Sequence, residues 1–430
     1  MDRIVSLSTG LGFILSAEVL RLVGNGVGQA GGWFLIGVAL AAGVHLLGAV
    51  RLFGRLSGPT DETALLQRTL GPVAALALPL AARVPVTLLA ATSLLATAGY
   101  VFNETFVYWF PNFLFAFLLL CMVLGVGLAG GTVWAGFQII TVLAALGGLI
   151  FLIGAGIATA PAASASQVTG LPVDQGSRGA LGAVLLVLTY DLAFLAKDRR
   201  TAPDQQIPAL VVALGSALLL LWGLVSLRWV APDTLATSTI PYTMTARTIL
   251  GPEGRIIIGV VLVAGTAAAV NALFGGIARM AAGMAAEGLL PSGPLSPAGR
   301  QRLWTLLMAG ATAAMLMAGM AGSPHLELFL RAGLILWLLH HALMHLIALR
   351  TDPGRHILRN VYAAHMAGGL LLILAAGGLL VTQSEAAAAL FFMAGVWAAS
   401  AIAGWALYTL ARQQNARRQK QHTANERSRR

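Results

Sequence analysis

The sequence predicts an all-α integral membrane protein with twelve transmembrane helices, arranged as a 5+5 inverted repeat plus two C-terminal helices. Three observations favour this fold class: the composition, twelve apolar runs of spanning length, and polar or glycine-rich interruptions in the first and sixth runs. Hydrophobic residues make up 58% of the 430 residues and charged residues 10%, against roughly 25% charged residues in soluble domains. So little polar material cannot cover the surface of a soluble fold of this size.

The twelve runs are recognised by length, because a helix needs about 20 mostly apolar residues to cross a bilayer. They lie at 4–24, 31–54, 76–100, 111–129, 132–158, 178–197, 207–229, 254–286, 303–322, 327–349, 360–381 and 386–410. We interpret residues 1–410 as one transporter domain, with repeat one at 4–158, repeat two at 178–349 and helices 11 and 12 at 360–410. The basic segment 411–430 is predicted to be a disordered cytoplasmic tail.

The placement of positive charge predicts the orientation. With a cytoplasmic N-terminus, the inner connections and the tail carry 21 Lys and Arg residues and the outer connections carry six, out of 27 in total. This ratio indicates cytoplasmic N- and C-termini and a multi-pass protein of the cell inner membrane. The net charge of +11 therefore reflects topology, and we expect no nucleic acid partner.

Two runs contain an interruption in their middle. The first run contains Ser8, Thr9, Gly10, Leu11 and Gly12, and the sixth contains Leu188, Thr189, Tyr190 and Asp191. A membrane helix can be interrupted only where its freed backbone groups line a cavity or contact protein. Interruptions five runs apart predict the central site of a transporter built from two inverted halves. The alternative is that the glycines only permit close helix packing.

Segments along the whole chain resemble a known family. Ala268 to Arg279, continuing through Glu287-Gly288-Leu289-Leu290-Pro291, is similar to span 8 of the amino acid–polyamine–organocation (APC) superfamily permeases. Asp191 followed by the segment 202–208 resembles the span 6 motif of that family. Gly10-Leu11-Gly12 resembles its span 1 Gly-Ser-Gly, and Ser57-Gly58-Pro59 with Leu70-Gly71-Pro72 resembles its span 2–3 connection.

The resemblance implies a LeuT-like fold and alternating access, with transport of amino acids or related amines by proton symport or exchange. The positions that match the family's substrate site are Ser8, Thr9, Gly10, Leu11, Gly12, Val187, Leu188, Thr189, Tyr190 and Phe274. Leu11 and Leu185 replace a hydroxyl and an aromatic residue found in family members, which favours a small aliphatic amino acid. Ala145 stands where some proton-coupled members place a lysine.

Three ionisable residues are candidates for coupling or gating. Asp191 lies in mid-span, where an ionisable group is costly and functional by default, although a structural carboxylate tied to a neighbouring helix is the alternative. Glu18 is placed to join a gate or a proton path, or else to pair with Arg21. Arg279 is predicted to close the cytoplasmic side through a salt bridge or carbonyl contacts, with a purely topological role as the alternative.

The histidines do not form a recognisable metal motif. His340, His341 and His345 cluster in the tenth run, where hydrogen bonding or pH sensing is favoured over metal binding. His45 and His365 are interpreted as packing residues. The single cysteine, Cys121, excludes an internal disulfide and a cysteine-based metal site. We therefore predict no metal site and no cofactor.

The leading interpretation is a secondary transporter that moves amino acids or related amines across the inner membrane, with proton coupling and exchange both left open. The alternative from another class is a non-transporting membrane sensor or interaction protein on the same scaffold. A channel is disfavoured because no polar stripe recurs along the runs. The sequence contains no nucleotide-binding loop or hydrolytic triad, so no enzyme is predicted.

Overall fold

Helices account for nearly all of the described chain. The computed structural model describes residues 2–50, 59–159, 181–196, 206–291, 295–351, 359–383 and 385–429, and contains no strand within these ranges. The helices are α1 (Asp2–Ile14), α2 (Ala17–Ala30), α3 (Gly32–Gly48), α4 (Pro59–Leu70), α5 (Pro72–Thr105), α6 (Asn112–Ala129), α7 (Gly131–Ala158), α8 (Leu192–Leu195), α9 (Gln206–Trp229), α10 (Pro232–Thr237), α11 (Pro241–Ala286), α12 (Pro297–Met317), α13 (Pro324–Thr351), α14 (Arg359–Val381) and α15 (Ala386–Arg429).

Over its described residues, each predicted apolar run contains at least one helical segment. Among the described residues, α5, α6, α7, α9, α11, α13 and α15 are long and apolar enough to cross a membrane, and the bent pair α1–α2 is an eighth candidate span. The other four predicted runs are helical but do not meet these limits over their described residues. The count of twelve spans and the inverted repeat therefore stay predictions.

The burial of the candidate spans separates central from peripheral helices. In the most apolar window of α5, α11 and α13, 72% of the residues are buried, compared with 22% in α6 and 11% in α15. The peripheral helices expose large apolar side chains, such as Leu118 of α6 and Phe391 of α15. Such a surface fits contact with lipid, and the central helices α5, α11 and α13 carry the buried polar groups described below.

Two elements differ from the sequence-based expectation. The segment predicted as a disordered tail is instead the end of α15, which continues as a helix to Arg429. The helix α11, with 46 residues, extends beyond the predicted span 254–286 because two helices join at Gly251, whose φ of 65° and ψ of −140° are not helical. Glycine adopts this conformation without strain, and Pro252 follows it at the start of the second part.

The connection between α3 and α5 contains an amphipathic helix. Helix α4 places Glu62 and Thr63 in the protein interior and contacts the end of α11, where a Cβ built on Gly283 would lie 3.1 Å from the Thr60 backbone nitrogen. Ser57 and Gly58 of the predicted family motif lie outside the described residues. Residues 160–180 and the motif positions 202–205 also lie outside them.

Candidate functional site

The first interruption lies between α1 and α2. The two helices meet at Leu15 and Ser16 with a bend of 50°, and Ser16 is extended with φ of −74° and ψ of 158°. The prediction that the helix unwinds at Gly10–Gly12 is wrong, because α1 remains helical through these residues to Ile14. The break occurs about one turn later.

The two glycines of α1 serve close packing instead. A Cβ built on Gly10 would lie 2.7 Å from a Val211 methyl group and 2.9 Å from the Cβ of Ala193. A Cβ built on Gly12 would lie 2.9 Å from Nε2 of Gln138. Side chains at either position would push neighbouring elements away from α1, which is the packing role of glycines in membrane helices.

The second interruption lies in residues 181–196, the described part of the sixth predicted run, which we call the sixth segment. Two short 3₁₀ turns, Ala183–Leu185 and Leu188–Asp191, flank Leu186 and Val187, and Val187 has non-helical φ and ψ of −110° and 8°. The predicted interruption at 188–191 therefore coincides with irregular backbone. Breaking the helix leaves backbone carbonyls without helical partners. One of them, the Val184 carbonyl oxygen, lies 2.8 Å from Nε2 of His45 on α3.

The elements that carry the two interruptions contact one another, and the first interruption contacts α11. Gly10 of α1 packs against Ala193 of the sixth segment, as described above, and a Cβ on Gly265 of α11 would overlap the Leu15 carbonyl oxygen. Three buried hydroxyl groups in these elements have no hydrogen-bond partner among the described residues: those of Ser16, Thr189 and Thr266. Most buried polar groups in folded proteins are paired, so unpaired hydroxyls at adjoining helix breaks indicate a place for a polar ligand.

The other predicted substrate positions have different environments. The hydroxyls of Ser8 and Thr9 both donate to the Val5 carbonyl oxygen, at 2.9 and 2.7 Å. Leu11, Val187, Leu188 and Tyr190 are buried in the apolar core.

A series of buried hydrogen bonds connects α1 to α7 and α11. Asn271 Nδ2 donates to Gln138 Oε1 at 2.7 Å, and Gln138 Nε2 donates to the Ser8 carbonyl oxygen at 3.1 Å. Trp134 Nε1 also donates to the Asn271 carbonyl oxygen at 3.2 Å. The sequence analysis included Asn271 only as part of the span 8 motif and did not predict its partners on α7.

Phe274 and Arg279 lie on the same helix, near the start of α7. Both line a small cavity of about 100 Å³, together with Asn271 and Trp134. The Arg279 guanidinium stacks over the Trp134 ring at 3.7 Å from its centroid, which is the geometry of a cation–π contact. The sequence predicted a salt bridge or carbonyl contacts for Arg279 and did not anticipate this aromatic partner.

A charged cluster lies on the α2 side of the break in the first span. It consists of Glu18, Arg21, Glu327 and Arg331. Arg21 Nη2 is 2.7 Å from Glu18 Oε1 and 3.4 Å from Glu327 Oε1, and Arg331 Nη2 is 2.6 Å from Glu327 Oε1. The pairing of Glu18 with Arg21, one of its two predicted alternatives, is thus present. The charges alternate in sign along the cluster.

Two cavities adjoin this charged cluster. One has a volume of about 510 Å³ and the other of about 280 Å³, and both are lined by Glu18, Arg21 and Glu327. The smaller cavity continues inward to Phe13, Leu185 and Leu186, next to the two interruptions. It is an apolar pocket with charges of both signs at one end.

Neutralising Glu327 is expected to have a small effect on stability. Its side chain is 45% exposed and that of Arg331 50%, and exposed ion pairs contribute about 0.2–1 kcal/mol. We expect Glu327→Gln to lower the free energy of unfolding within that range, and the difference to shrink at high salt. Thermal unfolding at low and high salt, with the exposed Glu253→Gln as control, checks this. A large, salt-independent loss would contradict it.

A second group of charges is fully buried near the middle of the helices. Arg83 of α5 lies between Glu62 of α4 and Asp191 of the sixth segment, and each of the three side chains is at most 2% exposed. Arg83 donates from Nη2 and Nη1 to the two Glu62 oxygens at 2.9 and 3.2 Å, and from Nη2 and Nε to Asp191 Oδ2 at 2.8 and 3.2 Å. One guanidinium therefore bridges two carboxylates.

Helix α13 completes this group. Trp337 Nε1 donates to Asp191 Oδ2 at 3.1 Å, and His341 Nε2 is 3.3 Å from the same oxygen. His340 Nε2 lies 2.8 Å from Glu62 Oε1. Burial disfavours the charged form of Glu62, but Arg83 and His340 outweigh it, so the pKa of Glu62 is lowered from its ordinary value. We call Glu62, Arg83, Asp191, His340 and His341 the Arg83 cluster.

Sequence analysis identified Asp191 but missed its main partner. Arg83 entered the count of inner loop charges, whereas the structure buries it inside α5. A signal was present, because Arg83 falls within the predicted run 76–100 and an arginine inside a span is expected to pair with an acidic residue. Glu62 gave no such signal, since it precedes that run in a polar connection.

The remaining histidines extend from the Arg83 cluster. The rings of Tyr190 and His341 lie 5.3 Å apart between centroids, and those of His45 and Tyr190 lie 5.6 Å apart. His345 Nδ1 is 3.0 Å from Nδ1 of His365 on α14. Across the described part of the chain, no group of three or more His, Cys, Asp or Glu residues is placed to hold a metal ion.

Comparisons with known proteins identify the fold and no sequence family. No family model matches the chain, and no curated protein matches it. Three crystal structures of the manganese transporter of Eremococcus coleocola are similar over 97% of this chain and 94–95% of theirs. Two are mutants, and one is in complex with an aromatic bis-isothiourea substituted compound. The TM-scores are 0.60–0.61 and the identities 10–11%. The chain therefore has the all-helical, multi-pass fold of a membrane transporter.

Proposed function

We propose that this protein is a secondary transporter that carries an amino acid or a related amine by alternating access around its two helix interruptions. The observation that carries the proposal is a shared cavity, which Phe13, next to the break at Leu15–Ser16, lines together with Leu185 and Leu186 of the second interruption. The buried hydroxyls of Ser16 and Thr189, at the two interruptions, have no partner among the described residues. In transporters with broken helices, unwound backbone and helix ends bind the polar groups of the substrate.

The cavity beside the interruptions supports an amphiphilic substrate. Its volume of about 280 Å³ is near the lower end of the roughly 300–1,000 Å³ of ligand pockets. Phe13, Leu185 and Leu186 would contact an apolar side chain. The alternating charges of Glu18, Arg21 and Glu327 suit a molecule with an ammonium and a carboxylate group, such as an amino acid.

A divalent metal ion is the second candidate, because the structurally similar proteins are manganese transporters. Manganese binding in proteins favours carboxylate, carbonyl and water oxygens. The described residues hold no group of three or more His, Cys, Asp or Glu positioned around one point.

Ligand-induced stabilisation of the purified protein tests the proposal. We expect one or more of the twenty amino acids or common polyamines to raise the apparent melting temperature, and manganese to have no such effect. A ligand present at about 100 times its Kd stabilises the folded state by about 2.7 kcal/mol. Uptake of the same compound into proteoliposomes then establishes transport.

Matched variants locate the binding site. Thr189→Val removes a buried hydroxyl at the interruption with little change in volume, and we expect it to weaken ligand stabilisation at least severalfold. Thr248→Val on α11 is exposed and serves as the control. Stabilisation by manganese alone would favour the second candidate. Absence of both stabilisation and uptake would favour a non-transporting sensor on this scaffold.

A further inference from the structure

The formal charges of the Arg83 cluster do not balance. Glu62 and Asp191 each accept hydrogen bonds from Arg83, so each acts as a carboxylate, and a single guanidinium faces them. With both histidines neutral, the group carries one net negative charge. An uncompensated charge inside a membrane protein is costly. One additional positive charge at this position would remove the imbalance.

The cluster contains groups that can accept that charge. His340 Nε2 faces Glu62 and His341 Nε2 faces Asp191, as described above, so an imidazolium at either position would pair with a carboxylate. His340 Nδ1 and Asp191 Oδ1 have no hydrogen-bond partner among the described residues. An unpaired, fully buried carboxylate oxygen indicates that the group is incomplete without a further ligand.

The burial of the group favours a proton as the ligand. The five side chains are at most 3% exposed, and none of them lines any of the three cavities described above. A metal ion or an organic ammonium needs volume and further oxygen ligands. A proton needs only an atom to receive it.

We propose that the Arg83 cluster (Glu62, Arg83, Asp191, His340 and His341) is a proton-binding site. It takes up one proton and releases no other ion in return. The proton resides on an imidazole of α13, and it brings the group to neutrality. The site links α4, α5, the sixth segment and α13. Protonation therefore changes the strength of the contacts that hold the turn Leu188–Asp191 in place. This inference goes beyond the proposed function, because it holds whether or not the substrate is an amine.

Other titratable side chains face the Arg83 cluster and define its surroundings. Tyr190 of the sixth segment and His45 of α3 are two such side chains. The ring centroid of His45 lies 6.4 Å from that of His341. The Tyr190 hydroxyl and His345 Nε2 both face Gly48, where a built Cβ would lie 2.5 and 3.2 Å from them. His365 of α14 lies beside His345, with 3.0 Å between their Nδ1 atoms. From α11 the cluster is contacted by the thioether of Met280, which does not titrate in this range.

These groups give the proton a route. From His341 the series of protonatable side chains passes through Tyr190 and the His345–His365 pair to α14. Hydrogen-bonding groups in series allow proton transfer without a cavity for a larger ion. This series of neighbouring protonatable side chains and the charge imbalance both favour a proton as the ligand.

Counting protons taken up by the purified full chain tests the proposal. In weakly buffered detergent solution, the pH is lowered from about 8 to about 5, the interval in which histidines change charge, and uptake is read with an indicator dye. Glu62→Gln is neutral without an added proton, so we expect it to take up one proton fewer per chain than the wild type. The exposed Glu104→Gln is expected to match the wild type.

A second variant keeps the test decisive if Glu62→Gln does not fold. His340→Gln combined with His341→Gln removes both imidazoles, and loss of one proton from the uptake supports the site, whereas loss of two would contradict a single bound proton. Equal uptake by the wild type and by every folded variant of the cluster overturns the proposal. Release of a proton from the wild type on addition of sodium, manganese or methylammonium would also overturn it, because the site would then bind a cation. Neither result depends on transport. Failure of the proton-binding proposal is therefore distinguishable from failure of the proposed transport function.

Discussion

Replacing Arg83 with leucine is expected to destabilise the protein by about 3–5 kcal/mol, the cost of removing one partner of a buried ion pair. The substitution leaves Glu62 and Asp191 facing each other in the interior without the guanidinium that both contact. Their negative charges then repel and lack solvent. Because the two carboxylates share one arginine, the loss is expected at the upper end of that range.

Chemical or thermal unfolding in detergent measures this loss. Arg228→Leu is the control, since Arg228 is exposed and its guanidinium donates to the Ile157 carbonyl oxygen at 3.2 Å. Adding Glu62→Gln and Asp191→Asn to Arg83→Leu removes the unpaired charges and should recover much of the stability. An Arg83→Leu protein as stable as the control variant would contradict the ion-pair assignment.

Gly265→Ala is expected to abolish ligand-induced stabilisation and transport. A Cβ at Gly265 would overlap the Leu15 carbonyl oxygen and lie 3.6 Å from Cα of Ser16, so the backbone of the first interruption must move. The obstacle is backbone, which cannot rotate away as a side chain can. Overpacking of this kind costs about 1–3 kcal/mol in a well-packed core, and here the displacement falls on the proposed binding site.

The control for Gly265→Ala is Gly310→Ala on α12, where nothing lies within 4 Å of a built Cβ. We expect that variant to keep the stability and ligand response of the wild type. Uptake in proteoliposomes and melting temperature with and without ligand give the comparison. Wild-type transport by a folded Gly265→Ala protein would show that the first interruption is not part of the binding site.

The prediction of the interruptions shows where sequence reasoning was sufficient and where it was not. In the sixth run, Thr189 and Asp191 among apolar residues indicated irregular backbone at the correct place, because polar groups in mid-span need partners. In the first run, Gly10 and Gly12 indicated the wrong place. Glycine permits both unwinding and close packing, and only the neighbours Val211, Ala193 and Gln138 decide between them.

The amino-acid sequence by itself determined the helical architecture, because a bilayer accepts only segments whose backbone hydrogen bonds are satisfied internally, and apolar runs of spanning length reveal them. Tertiary structure decided which charges meet. Arg83 and Asp191 are 108 residues apart, and His340 and Glu62 are 278 apart. Their contacts arise from the packing of α4, α5 and α13 around the sixth segment, and a local pattern carries no information about such distant neighbours.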